Sequence, residues 1–110
     1  RLAVAHGTVG TVSDPHEIAN VLGVAGVAFM LADAERVPGF AFAFGAPSCV
    51  PATTFETAGA TVTVEDIDRL FDDPRIGYLA EMMNWPGVLF DDADVRAKIA
   101  LAHRRGRPVD

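Results

Sequence analysis

Two residues have types and settings that could carry chemistry. Glu81 follows the uncharged run "IGYLA" and precedes two methionines, Met82 and Met83. A carboxylate at that place is expected to be desolvated, and desolvation disfavours its charged form unless a cation compensates. Two readings are open: a Glu paired with Arg or Lys or facing solvent, or a metal ligand or general acid/base. His16 stands in "SDPHEIAN", where an apolar run gives way to helix-start grammar. Asp14 is expected as the N-cap, Pro15 as the first helical residue, and Glu17 as the third member of a capping box. None of this requires His16. A helix start disfavours imidazolium, so a neutral imidazole able to accept a proton, or to donate one hydrogen bond without carrying charge, is expected there. The alternative is a surface histidine that does nothing.

Other candidates carry less. Cys49 in "PSCVPAT" could be a nucleophile, but without a partner in view it reads as a small buried hydrophobe. Phe40, Phe42 and Phe44 alternate with alanine and read as strand filling. His6 and His103 sit in helix tails, and the basic run "HRRGR" suits a helix C-terminus. Neither H-x-E nor P-C-x-x-C occurs, which argues against a cytidine-deaminase-type zinc site.

These residues need elements to position them. Residues 1–6 read as a helix tail ended by Gly7, and 8–13 as a strand. A helical pattern over 15–36 has a break near Gly23. A strand is expected over 39–45, followed by a loop, "APSCVPATTFETAGAT". Thr63 is expected to cap a helix running to Asp73, with Asp66 closing its capping box. A strand over 75–81, a loop "MMNWPGVLF", a helix over 91–106 and the start of a fourth strand in "RPVD" complete the order. Strands that are apolar throughout and alternate with helices imply a parallel sheet buried on both faces, in a doubly wound fold or a (β/α)8 barrel. In such folds the ligand gathers at the carboxyl ends of the strands. Ser13, Asp14 and His16, then Pro47, Ser48 and Cys49, then Glu81 and Asn84, and finally Asp110 fall at those ends.

Composition sets the outer limits. The chain has 110 residues, half of them apolar, and a net charge of −6, which argues against nucleic acid as a partner. No run of 18 apolar residues is present, so no membrane span is expected. A single cysteine fits a reducing, cytoplasmic setting. No glycine-rich nucleotide fingerprint follows the first strand.

Three blocks, "SDPHEIANVLGV", "PSCVPATTFETAGA" and "AEMMNWPGV", in this order and spacing, resemble the adenine deaminases of the amidohydrolase superfamily. The family more often has Pro where Thr54 stands and Tyr where Trp85 stands; neither position is assigned to chemistry. The resemblance implies an α/β fold, part of a (β/α)8 TIM-type barrel covering about strands two to five. It also implies residues 1–110 as a partial catalytic barrel and a divalent metal pair, manganese or iron, or zinc. Glu81 would bridge the metals, serving as both metal ligand and catalytic residue. His16 would be catalytic, moving protons toward the leaving amine. The implied reaction converts adenine to hypoxanthine and ammonia with a metal-activated hydroxide, in purine salvage, by a homo-oligomer of the full-length protein. No His-x-His occurs in the chain, and the family's next histidine ligand would fall beyond Asp110. An internal piece, inactive alone and exposing an open half barrel, is therefore expected. The alternatives are another metal-dependent amidohydrolase acting on a purine or cyclic amide, and a non-catalytic truncated half barrel.

Overall fold

The computed structural model describes residues 2–110; residue 1, part of the helix expected over 1–6, lies outside the described residues. In chain order the elements are α1 (Leu2–Ala5), β1 (Gly10–Ser13), α2 (His16–Leu22), α3 (Val24–Ala34), β2 (Ala41–Ala46), α4 (Val64–Leu70), β3 (Ile76–Leu79), α5 (Trp85–Leu89) and α6 (Ala93–Arg104). The three strands are parallel and ordered β1-β2-β3. Register runs from Gly10 opposite Ala41 to Ser13 opposite Phe44, and on the other side Gly45 faces Tyr78 and Ala46 faces Leu79. The expected fourth strand is a single parallel bridge, Leu79 to Val109. The chain is thus mixed α/β, with parallel strands alternating with helices, compatible with part of a barrel.

The core lies between β2, β3 and the helices that cover them. Phe44, Ala46, Ile76 and Leu79 from the sheet meet Val27 and Leu31 of α3, Ile67 and Leu70 of α4, and Leu101 and Ala102 of α6. The expectation of strands buried on both faces fails at β1. Val12 is 75% exposed there, because β1 is an edge and nothing among the described residues covers its far side. Apolar residues on an uncovered edge strand are the pattern of a sheet continued by further chain.

Local signals account for most boundaries. Gly23 has a φ of 61° and parts α2 from α3, in the left-handed region that glycine enters without a Cβ penalty. Thr63 and Asp66 form the expected capping box at α4, although that helix ends at Leu70 instead of Asp73. Asp92 caps α6 by accepting from the N–H groups of Asp94 and Val95. Two expectations are corrected. Asp14 does not cap α2: Pro15 stands at the cap, no side chain bonds there, and no capping box with Glu17 forms. The stretch expected as a loop after Glu81 contains α5, started by Asn84, whose side chain accepts from Gly87 N–H at 3.1 Å. The basic run does more than serve the dipole of α6. Arg105 pairs with Asp68 at 2.7 Å and with Asp72, joining α6 to α4.

Candidate active site

Parallel strands end on one side, so the turns that follow β1, β2 and β3 share a rim. His16 opens α2 directly after the β1 turn, and Asp14 sits within that turn. The Asp14 carboxylate comes to 3.0 Å from His16 Nδ1, with Glu17 3.7 Å from Nε2. The Asp14–His16 approach is close but not aligned as a hydrogen bond: both Asp14 oxygens and His16 Nδ1 are buried without a hydrogen-bond partner. Buried polar atoms in that state are rare and point to a partner that completes them. Burial pushes the Asp14 carboxyl above its ordinary value; His16 pulls it down, while Glu17 and Glu81 add to the rise. The side chain freed from capping is therefore the neighbour of the histidine.

Glu81 lies two residues beyond β3, not within it, and is exposed, which corrects the expectation of a desolvated carboxylate. Only its backbone carbonyl takes part in the side-chain hydrogen bonds among the described residues. Arg69 pairs with Asp66, Arg75 with Asp73, Arg96 with Asp91, Lys98 with Asp94 and Arg105 with Asp68, and no ion pair among the described residues includes Glu81. Of the two forms of the alternative reading, the described residues show the solvent-facing one: Glu81 is exposed. Glu81 is near enough to Asp14 to raise its pKa, so the rim holds several carboxylates together. Tyr78 joins them; burial pushes its hydroxyl up, and the charges of Asp14 and Asp110 push it further.

The turn after β2 is tied to the turn after β3. Ser48 is buried, and its hydroxyl donates to the Glu81 carbonyl. Cys49 Sγ accepts from Asn84 N–H at 3.4 Å and lies 3.4 Å from Met82 Sδ. Cys49 is buried and packed, as its reading as a small hydrophobe required. Phe42 and Phe44 stack at 5.6 Å, and Phe44 enters the core. His6 follows α1 and His103 lies in the last turn of α6; neither enters the rim contacts described here. Sequence reasoning missed the roles of Asp14, Tyr78 and Ser48. An Asp two residues before a His at a strand end was the available signal for the first; Ser48 gave none, because its partner is 33 residues away.

Carboxylates and an imidazole at one rim, Glu81 exposed and the Asp14 oxygens buried, are of the types divalent cations take, carboxylate oxygen and imidazole nitrogen. Among the described residues, however, no three His, Cys, Asp or Glu side chains group as a metal site.

The fold and the rim define a class: a parallel α/β chain compatible with part of a barrel, with carboxylates and an imidazole at its strand ends. Within that class the chain is similar, along its whole length, to one stretch of the adenine deaminases. It is 58% identical over 110 residues to an adenine deaminase of Sulfurovum sp. (strain NBC37-1) and 59% identical to one of Salinibacter ruber, covering all of this chain and 20% of each relative. An adenine deaminase of Parabacteroides distasonis is 50% identical over 108 residues. The chain spans about a fifth of the length of the curated relatives it matches. No family model matches it.

Proposed function

We propose that this chain is part of the catalytic (β/α)8 barrel of a metal-dependent adenine deaminase, which hydrolyses adenine to hypoxanthine and ammonia. The observation that carries the reading is identity of 50% to 59% with adenine deaminases over essentially the whole chain. The geometry supports it: Glu81, Asp14 and His16 share the strand-end rim where barrels do their chemistry. Residues 1–110 then form one piece of a single catalytic domain. The exposed faces of β1 and of α5, where Trp85, Leu89 and Phe90 are all more than half exposed, would be covered by further chain or by a second copy in a homo-oligomer.

Glu81 is the metal ligand in this reading. Its carboxylate is free of ion pairs among the described residues and open, as a ligand to a pair of divalent cations, manganese, iron or zinc, requires. The remaining ligands come from outside this stretch, since the described residues group no third donor. When bound, the metals would supply water acidified enough to attack at neutral pH. The chain's own residues do the rest. His16 accepts a proton and delivers it toward the amine leaving adenine C6, with the Asp14 carboxylate 3.0 Å from its Nδ1 side. The sum balances as adenine plus water to hypoxanthine plus ammonia. A buried single cysteine fits a cytoplasmic enzyme of purine salvage.

The test is made on the full-length protein loaded with Mn(II) or Fe(II). It should release one ammonia for each adenine consumed, and Glu81→Gln should lose both bound metal and turnover. A metal-loaded protein that leaves adenine intact while hydrolysing a cyclic amide would refute the substrate assignment. A fully active Glu81→Gln would refute the site.

A further inference from the structure

We propose that Ser48 is a positioning residue for Glu81: its buried hydroxyl fixes the Glu81 backbone, and so the direction of the carboxylate and the metal affinity of the site. This rests on the reading of Glu81 as a metal ligand. After Ala80 N–H bonds Ala46 O at 2.9 Å, the chain leaves β2. Three contacts from neighbouring turns take over. Ser48 donates its hydroxyl proton to the Glu81 carbonyl, with Cys49 Sγ at 3.2 Å a second acceptor for the same proton. Met82 N–H donates to the Asp110 carbonyl at 3.0 Å. Asn84 N–H donates to Cys49 Sγ at 3.4 Å. Glu81 is thus held at its own carbonyl and on the following residues, while its side chain stays exposed and unpaired among the described residues.

Of the three, Ser48 is the one whose side chain acts on Glu81 itself. It is 1% exposed, so water does not compete for the bond. A carboxylate on a two-carbon stem can rotate, but its reach is set by where the Cα–Cβ bond points, and that is set by the adjoining peptide. Metal sites bind tightly only when ligands are held near their bound geometry, and losing an outer-shell partner costs about 10- to 100-fold in affinity or activity.

The experiment titrates Mn(II) into metal-free full-length protein, wild type against Ser48→Ala, Ser48→Thr and Glu81→Gln, and follows the melting of each metal-free protein. Ser48→Ala should bind Mn(II) about 10- to 100-fold more weakly. Its metal-free melt should remain cooperative, and Ser48→Thr, which keeps the hydroxyl, should recover most of the affinity. A folded Ser48→Ala with wild-type affinity, beside a Glu81→Gln that has lost the metal, overturns the positioning role alone. A Glu81→Gln that keeps the metal overturns the underlying reading as well. Should Ser48→Ala fail to fold, Ser48→Cys, close in size with a weaker donor, replaces it under the same two outcomes.

Discussion

Gly45→Ala is the substitution that most directly tests how the sheet aims the rim. Gly45 stands where the β2–β3 register shifts, facing Tyr78. A Cβ built there would lie 2.7 Å from Tyr78 Cζ and 2.8 Å from Ala80 Cβ. Carbon contacts are optimal at about 3.5 to 4.0 Å, so the new methyl is about 1 Å too close on both sides. The Tyr78 ring can swing, at the cost of its own packing. Ala80 Cβ has no torsion to relieve the overlap, so the backbone next to Glu81 must move. Overpacking of this kind costs about 1 to 3 kcal/mol. Against it, replacing glycine by alanine in an ordinary conformation gains about 0.4 to 1 kcal/mol by restricting the unfolded chain. The difference leaves a net loss of about 0 to 2.6 kcal/mol, about 1.3 at the middle of both ranges. Denaturant unfolding of the variant measures it through the shift in midpoint at constant slope. In full-length protein the same variant should lose turnover through displacement of Glu81. Stability above wild type would show that β2 and β3 do not approach this closely at Gly45, and the account of how Glu81 is placed would fall with it.

Three further outcomes are expected. Thr63→Ala should cost about 1 kcal/mol by removing the acceptor for Asp66 N–H, and a denaturation midpoint equal to wild type would contradict the cap. Asp14→Asn should stabilise the fold at neutral pH. The Asp14 carboxyl is raised above 3.8 in the folded state, so its ionisation opposes folding fully above the folded value. That opposition fades as pH falls through the folded value and is gone below the unfolded one, so the gain should vanish near pH 3; an equal gain at both pH values would refute the assignment. His16→Asn in the full-length enzyme should lower kcat by about 100-fold or more while leaving bound metal unchanged, and undiminished kcat would remove His16 from the chemistry.

Elements written in short-range signals were legible. The β-α alternation, the break at Gly23 and the Thr63–Asp66 capping box each depend on residues within a few positions of one another. α5 was not, because five residues containing Pro86 and Gly87 resemble a loop until Asn84 is seen closing their first turn. Asp14 was legible as a polar residue at a helix start, but not in its use. Capping and facing His16 draw on the same residue at the same spacing, and the φ and ψ of Pro15 decide between them.

What the sequence determined by itself is the order of elements, the parallel class of sheet and the placing of His16 and Glu81 at strand ends, since hydrophobic patterning and local caps set those. The tertiary structure alone decided which turns touch. Ser48 reaches Glu81 across 33 residues and Arg105 reaches Asp68 across 37, through a strand register and a helix packing that no local spacing encodes. It also decided that β1 stays exposed and that Glu81 stays unpaired among the described residues. Burial and charge pairing depend on what covers a surface, and among the described residues nothing covers Val12 on β1.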